Sequence, residues 1–404
     1  MPIDETARDR RTPASVLVLL ALSSAGATFA GDEPLTYLAA SAYATESRYC
    51  VDDAVPPAFC GTLLAGDALS VAIGDVDGDG HRDIVQARLS AEAQVCFNNG
   101  QGIFTCQEIL GAHPDMTLVA VGDFNVDGRL DAVLGTRFEP PILAQICFNL
   151  TGTVLICATL DAIDFPQRDL DVGDINGDGA PDLLAMAGNA PARACLNDGQ
   201  GVFVSCLELP WSGTQERAGV LADLDGDGNL DAAITTAMPG LGPQDRLCLG
   251  NGAGLFSCSP IGFANDHAAV AIGDIDGDGG LDIVFARGLT GVNTVYCPGN
   301  GSGSFPTCFL LGGPMALANA VALADLDGDG RAEAAFASAG AGQANVLCRF
   351  LGYAPPPGSE PQFLCLPLDP AVTTTARDVS LWTPWIFQDG FESGDTGRWS
   401  SSVH

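Results

Sequence analysis

The sequence predicts an all-β protein, a seven-bladed β-propeller of four-stranded blades in which six blades carry a calcium loop between strands one and two. Three observations predict this fold. An acidic loop recurs six times, from Asp75 to Glu333, at a period of roughly fifty residues. Short, apolar, β-branched segments flank each loop and indicate strands rather than helices. Fourteen cysteines fall into seven regularly spaced pairs.

The acidic loop has the composition of a calcium site. Positions one, three, five and nine carry oxygen side chains, position six is glycine, and position seven can offer its backbone carbonyl. Calcium takes about six to eight oxygen ligands, and a glycine at position six permits the sharp turn. We therefore predict about six Ca²⁺ sites. The side-chain ligands are Asp75, Asp77, Asp79 and Asp83; Asp123, Asn125, Asp127 and Asp131; Asp174, Asn176, Asp178 and Asp182; Asp223, Asp225, Asp227 and Asp231; Asp274, Asp276, Asp278 and Asp282; and Asp325, Asp327, Asp329 and Glu333, with carbonyls from His81, Arg129, Ala180, Asn229, Gly280 and Arg331.

An EF-hand is the first alternative for such a loop, and the sequence argues against it. An EF-hand requires a bidentate glutamate at position twelve and a helix on each side. Position twelve is Gln86 in the first copy and Leu134 in the second, and the flanking segments have no helical period. Acidic turns that bind no ion remain the other alternative.

The first thirty residues predict a signal peptide. Arg8, Arg10 and Arg11 precede an apolar run from Val16 to Leu22, which is too short to span a membrane, and small residues follow. Cleavage after Ala27 or Ala30 suits this pattern. We therefore expect a secreted or cell-surface protein, or a periplasmic one in a bacterium. Residues 384–404 form a C-terminal tail, either an exposed end or a sorting signal.

The composition excludes several functions. The net charge is −33, which argues against a nucleic acid or an anionic membrane surface as partner. All 17 basic residues are arginine, so a Schiff-base lysine and a phosphate-loop lysine are absent. No apolar run after the signal is long enough to span a membrane.

The cysteine pairs predict disulfides that join the last two strands of each blade. Most partners flank a turn with an Asn-Gly or Asp-Gly step, such as Asn99-Gly100, which favours a β-hairpin. In an exported protein, even and periodic cysteines are read as oxidised; buried free thiols are the alternative. The predicted pairs are Cys50 with Cys60, Cys96 with Cys106, Cys147 with Cys157, Cys195 with Cys206, Cys248 with Cys258, Cys297 with Cys308, and Cys348 with Cys365.

Each repeat therefore supplies one strand before the loop, one after it, and a stapled hairpin. Before the first loop, Leu35–Leu38 and the hairpin around Cys50 and Cys60 look like strands two to four of a further blade. The segment 377–382 can supply the missing first strand. The sequence thus predicts a propeller over residues 31–383 whose seventh blade is closed by both chain ends.

The repeat resembles a known family. Val71-Ala-Ile-Gly-Asp75 with the loop that follows, Asp83-Ile-Val85, and Asn98-Asn99-Gly-x-Gly-x-Phe104 are similar to the FG-GAP or VCBS repeat of integrin α-subunit propellers and many exported bacterial proteins. The resemblance implies a calcium-binding propeller used for adhesion or recognition. Asn at position three of two copies and Glu333 in the last depart from the pattern but keep oxygen ligands.

The face opposite the calcium loops is the predicted ligand face. Strand parity places the two-to-three and four-to-one connections together there, and these vary within the chain. We expect a non-catalytic binding or adhesion module for a protein or carbohydrate ligand. A polysaccharide-cleaving enzyme using His113 or His267 as base, and a purely structural cell-surface protein, are the alternatives; no catalytic motif is present. The ligand-face candidates are Arg137, Phe138, Phe165, Arg168, Trp211, Arg217, Phe263 and His267.

Overall fold

The computed structural model describes residues 68–367 apart from short gaps, and five strands outside that range as backbone only. The gaps are 101–102, 139–140, 189, 211–215, 237–244, 262–266, 288–293, 313–317, 326–328, 339–345 and 355–359. All regular structure in the described part of the chain is β-strand, with no helix. None of these residues, accordingly, belongs to a helix that could cross a membrane.

Six four-stranded antiparallel sheets follow one another along the chain, one for each acidic loop, and we number them repeats one to six. Within each repeat the strands pair in sequence order. Repeat one has β5 (Ala68–Gly74), β6 (Asp83–Arg88), β7 (Gln94–Asn98) and β8 (Phe104–Glu108); repeat two has β9 (Leu118–Gly122), β10 (Asp131–Gly135), β11 (Ala144–Asn149) and β12 (Leu155–Thr159); repeat three has β13 (Asp169–Gly173), β14 (Asp182–Met186), β15 (Arg193–Asn197) and β16 (Phe203–Glu208). Repeat four has β17 (Glu216–Ala222), β18 (Asp231–Thr236), β19 (Arg246–Gly250) and β20 (Phe256–Pro260); repeat five has β21 (His267–Gly273), β22 (Asp282–Arg287), β23 (Val295–Cys297) and β24 (Phe309–Leu310); repeat six has β25 (Ala318–Ala324), β26 (Glu333–Ser338), β27 (Val346–Tyr353) and β28 (Pro361–Pro367).

Burial decreases from the first strand of a repeat to the last. Strands β9 and β10 are buried at every residue, because sheets cover both of their faces. The fourth strand β12 is exposed at Ile156 and at its end. The apolar clusters join neighbouring repeats: Val133 of repeat two packs with Leu170 and Leu183 of repeat three. This stacking of sheet on sheet is the arrangement expected of propeller blades.

The first strands of successive repeats contact each other, from β5 and β9 through β21 and β25. On the edge of β17 that is not paired within its own sheet, backbone N–H groups donate hydrogen bonds to side chains of the preceding repeat. Gly219 N donates to Asp169 Oδ2 over 3.1 Å, and Leu221 N donates to Asp171 Oδ2 over 2.6 Å. These side chains satisfy the sheet edge that would otherwise be left unpaired.

A further sheet combines both ends of the chain: β29 (Ala376–Trp382), β1 (Ser15–Ala21), β2 (Thr36–Ala42), β3 (Glu46–Asp52) and β4 (Phe59–Leu64), in that order. The sequence predicts β29 directly beside β2, whereas the structure places β1 between them. The apolar, β-branched segment that we predict as part of the signal peptide can pair as a strand for that same reason. Strand β29 also contacts both β25 and β5.

Six of the seven predicted disulfides are confirmed, one in each repeat. Five of them join residues directly opposite each other on the third and fourth strands, whereas in repeat five Cys308 directly precedes the fourth strand. For the seventh pair, Cys50 and Cys60 are opposite each other in the backbone register, and their side chains lie outside the described part. Repeat five has the shortest third and fourth strands, because Pro298 and Pro306 cannot donate to the ladder.

Candidate metal centres

Each acidic loop connects the first two strands of its repeat. The residue before position one pairs with position nine across the ladder, as Gly74 does with Asp83 and Gly122 with Asp131. The paired strands therefore close the loop at its base. Positions one to eight project beyond the sheet, and position nine is the first residue of the second strand.

Carboxylates converge in three of the loops. In each, one oxygen from positions one, three and nine lies within 4.8 Å of the oxygens from the other two positions. Three carboxylate oxygens at this spacing fit a hard cation such as calcium, which takes oxygen ligands at about 2.3–2.6 Å. The three groups are Asp75, Asp77 and Asp83; Asp223, Asp225 and Asp231; and Asp274, Asp276 and Asp282.

All six loops share one pattern of backbone hydrogen bonds. In loop one, Gly80 N donates to Asp75 Oδ2 over 3.0 Å, and His81 N donates to Asp79 Oδ1 over 2.8 Å. The equivalent pair of bonds occurs in the other five loops at 2.7–3.0 Å. These bonds wrap the backbone around the carboxylate of position one and hold one oxygen of the position-five carboxylate.

Two positions in each of loops one to five adopt a left-handed backbone, although the sequence argument recognised only one. Glycine at position six has φ between 85° and 89° in all six copies. Position four is glycine in five copies, and the four of these that the structure describes are also left-handed, with φ of 72° to 77°. In loop two it is Val126, with φ of 54°, an unfavourable conformation for a β-branched residue. The recurring Asp-Gly-Asp-Gly or Asn-Gly-Asp-Gly was the available signal.

Position nine is buried and joins the loop to the stapled hairpin. Asp83 accepts hydrogen bonds from Val76 N over 2.8 Å, from Asp77 N over 3.2 Å and from Asn98 N over 2.8 Å. Asn98 lies two residues after the first cysteine of its pair. The same bond from the hairpin to position nine occurs in repeats two to five at 2.7–2.8 Å.

Burial raises the pKa of these position-nine carboxyls. The pKa of Asp83 rises to about 8 through desolvation, and backbone N–H bonds from Asn98 and Val76 oppose the rise. The same cause raises the pKa of Asp131, Asp182 and Asp282 to about 7 and that of Asp231 to about 6. Neighbouring carboxylates add to it, because like charges disfavour ionisation. A bound cation would reverse the effect and release protons.

Loop two leaves a buried oxygen without a hydrogen-bond partner. Asp131 Oδ2 is inaccessible to solvent and accepts no hydrogen bond of normal geometry from the residues that the structure describes. In loops one, three, four and five this oxygen accepts the N–H of position two, but here Phe124 N donates to Gly122 O. An unsatisfied carboxylate oxygen is costly to bury, and a cation in the loop would satisfy it.

The departures from the repeat pattern change contacts around the loops. Asn125 and Asn176 at position three donate to the position-five carboxylates of their loops over 3.1 and 2.9 Å. Arg129, at position seven of loop two, forms an ion pair with Asp127. In loop six, the longer Glu333 forms an ion pair with Arg349 Nε over 3.2 Å. Asp327 lies outside the described residues.

In repeats two, three and five the hairpin also donates a hydrogen bond to the loop of the preceding repeat. Asn149 Nδ2 donates to Val76 O of loop one over 2.7 Å and to Leu130 O of its own loop over 3.1 Å. Asn197 makes the equivalent bonds in repeat three. Repeat five, which has glycine at this position, instead uses Gly303 N, which donates to Leu224 O over 2.9 Å. Loops and hairpins therefore lie on one face of the assembly, as strand parity predicts.

The structure separates the ligand-face candidates into exposed and buried residues. Arg137, Phe138 and Arg168 are exposed, with Phe138 at 44%, and Arg217 is half-buried. Trp211 and Phe263 lie outside the described part. The connection after β10 and the connection before β9 lie at the same end of the sheet, because Thr136 Oγ1 donates a hydrogen bond to Asp115 O.

Two of the candidates do not reach the surface, contrary to the expectation from sequence. Phe165 is buried, with the Arg193 guanidinium 4.5 Å above its ring. His267 is fully buried, forms a short contact with Asp245, and stacks on Phe285. Phe165 packs in the apolar core between repeats two and three. His267 forms a polar contact between repeats four and five.

The stacked four-stranded sheets with an acidic loop in each define a propeller-like repeat protein. Three stretches of the chain, 75–134, 167–234 and 274–336, match the FG-GAP-like repeat family. The chain is an FG-GAP repeat protein. No protein of curated function matches the sequence.

Several solved structures are similar to this chain in fold. BBS1N, solved in complex with ARL6DN and soaked with lead, is 11% identical with a TM-score of 0.44, over 74% of this chain and 89% of that one. Rhamnogalacturonan lyase PL11 of Bacillus licheniformis is 14% identical with a TM-score of 0.42, over 81% and 72%. The V. cholerae biofilm matrix protein Bap1 is 11% identical with a TM-score of 0.34, over 96% and 94%. Likenesses this distant transfer neither an activity nor a partner to this chain.

Proposed function

We propose that the protein is an exported, calcium-stabilised seven-bladed propeller that acts as a non-catalytic binding module for a protein or carbohydrate ligand. The observation that carries the metal assignment is the convergence of three carboxylates in each of three loops within 4.8 Å. The buried, unsatisfied Asp131 Oδ2 supports it independently. When bound, calcium supplies positive charge that offsets the repulsion among the loop carboxylates.

The residues around each loop give the ion a structural role. Position nine accepts hydrogen bonds from its own loop and from the stapled hairpin, and the hairpin of the next repeat reaches back to the loop. Ordering one loop therefore orders the boundary between two repeats. Because a ligand that binds only the native state stabilises it by mass action, calcium should raise the stability of the whole assembly.

Closure of the ring by a seventh blade is part of the proposal. Strand β1 is parallel to β29 and antiparallel to β2, so β29 and β2 run in opposite directions, as neighbouring strands of one blade must. They already contact each other. We propose that removal of the signal segment, which includes β1, lets β29 pair directly with β2.

The binding function is assigned to the face opposite the calcium loops. On the loop face the carboxylates and glycines are used in building the loops. The opposite face exposes Arg137, Phe138 and Arg168 on connections that differ from repeat to repeat. Arginine and aromatic residues on loops held by a rigid scaffold are favoured recognition residues. The six disulfides are consistent with an extracellular protein.

The test combines calcium counting with thermal unfolding of the oxidised protein after signal removal. We expect about six calcium ions per chain by elemental analysis and a large fall in melting temperature when chelator replaces calcium. Absence of bound calcium together with an unchanged melting temperature would overturn the metal assignment. For recognition, a glycan and protein ligand screen of Arg137→Ala/Phe138→Ala is compared with Asn251→Ala on the loop face. Equal binding by both would refute the assigned face.

A further inference from the structure

Loop five differs from the others because two tyrosines donate hydrogen bonds to its carboxylates. Tyr296 belongs to the short strand β23, directly before the first cysteine of its pair. The equivalent residue is apolar in every other repeat: Val95, Ile146, Ala194, Leu247 and Leu347. Tyr296 is fully buried, so its hydroxyl requires a partner, and it donates to Asp282 Oδ2 over 3.1 Å.

The second tyrosine comes from the following repeat. Strand β27 has eight residues and extends past a bulge between Phe350 and Gly352, where Gly352 has a φ of 119°. Beyond the bulge, Tyr353 OH donates to Asp276 Oδ2 over 2.7 Å. The two hydroxyls are 3.4 Å apart. Positions three and nine of loop five are therefore each held by a phenol, one of them from repeat six.

An aromatic cluster fixes both tyrosines. The ring of Tyr296 lies 6.4 Å from Phe309 and 5.9 Å from Phe363 between ring centres. Tyr353 packs 5.2 Å from Phe350 and remains 42% exposed. The rings come from repeats five and six, so this cluster sits at their boundary and orients both hydroxyls toward the loop.

In the described residues of loops one and four, no tyrosine supports position three. Among the described residues, Asp77 and Asp225 are hydrogen-bonded only by atoms of their own loops. Loop four shares the three-carboxylate arrangement of loop five but has Leu247 where loop five has Tyr296. It is therefore a natural internal comparison.

We infer that Tyr296 and Tyr353 are positioning residues for the calcium site of loop five, which makes that site tighter than site four and ties its occupancy to repeat six. The inference rests on the proposed calcium function. Donors to the carboxylate oxygens fix the ligands in orientation before the ion arrives and stabilise their charge. Removing such an outer partner typically costs about 10–100-fold in metal affinity.

The experiment titrates the calcium-free, full-length oxidised protein with Tb³⁺ and excites tyrosine. Energy transfer from tyrosine to bound Tb³⁺ requires a nearby tyrosine ring. The Tb³⁺ emission that the unmodified protein shows and the double variant Tyr296→Phe/Tyr353→Phe lacks therefore reports site five. We expect Tyr353→Phe to weaken Tb³⁺ and calcium binding at this site about tenfold and to speed release to chelator. Its melting temperature without calcium should not change, because Phe keeps the ring packing. Tyr296→Phe, measured alone, should weaken the same site.

Two controls separate the outcomes. Asp225→Ala removes the equivalent ligand of site four and should reduce bound calcium by one ion while leaving the tyrosine-dependent emission unchanged. Asp276→Ala should abolish that emission. If Tyr353→Phe binds calcium at the other sites and its affinity at site five is unchanged, this inference is overturned and the proposed function is not. Loss of calcium binding by every variant and by the unmodified protein would instead overturn the proposed function.

Discussion

The contact between the hairpin of repeat two and the loop of repeat one gives a quantitative test of how the repeats are joined. Asn149 is fully buried and makes three side-chain hydrogen bonds: to Val76 O, to Leu130 O, and from Gly152 N over 2.8 Å. Replacing Asn149 with alanine leaves two carbonyls and one N–H without partners. Each lost bond costs about 1 kcal/mol net, and up to about 3 kcal/mol where the remaining group stays dry.

The expected cost of Asn149→Ala is therefore about 3–5 kcal/mol, or a fall in melting temperature of roughly 5–10 °C for a domain of this size. Asn149→Asp should cost at least as much, since a carboxylate facing two carbonyl oxygens repels both. Because Val76 N also donates to Asp83, a loosened Val76 should weaken calcium binding at site one as well.

The assay is thermal unfolding in saturating calcium, with a calcium titration of each variant. Asn251→Ala is the matched control, because Asn251 is exposed and its side chain bonds only within its own turn, to Ala253 N and Leu255 N. It should cost under about 1 kcal/mol. If Asn149→Ala and Asn251→Ala shift the melting temperature equally, the hairpin contact does not hold the repeats together as described.

Two further predictions concern the backbone of loop two and a buried acid. Val126 is 57% exposed and has a left-handed backbone, so Val126→Gly should stabilise the protein by about 1 kcal/mol in thermal melts. The reverse change Gly177→Val at the same position of loop three should destabilise it by a similar amount, and the same sign for both would contradict the strain argument. Burial raises the pKa of Glu216 from 4.5 to about 8, so the native state holds a proton that the unfolded chain has lost between these values. Stability should therefore fall as pH rises through this window, by up to about 1.4 kcal/mol per pH unit, and Glu216→Gln should remove that part of the slope in melts with saturating calcium. Parallel pH profiles of the two proteins would show that Glu216 does not titrate in this way.

The proposed calcium sites also explain why a strongly acidic chain can fold into closely stacked sheets. The buried carboxyls at position nine have raised pKa values because desolvation disfavours their charge, for example about 8 for Asp83. Without a cation, increasing pH would charge these groups in the native state at a cost in stability. With a cation, the same groups become ligands, so calcium affinity should rise with pH as the carboxyls lose their protons.

The repeat period, the strand type and the six stapled hairpins were readable from sequence because each depends on local chemistry. Glycines at fixed places permit left-handed turns, β-branched runs favour strands, and cysteines opposite each other on a hairpin come together by short-range geometry. The convergence of the loop carboxylates follows for the same reason, since Asp75, Asp77 and Asp83 are close in sequence and in space.

What needed the tertiary structure are the contacts between repeats, because they join residues tens of positions apart whose proximity depends on how the sheets stack. Asn149 bonds to Val76 and Tyr353 bonds to Asp276, and neither partner is implied by the sequence of its own repeat. Burial of His267 and Phe165 was likewise decided by neighbouring repeats, which cover positions that would be exposed on an isolated sheet. The sequence by itself determined the repeating unit and its acidic loops; stacking determined which copies are reinforced, because the contacts from the next repeat differ at each boundary.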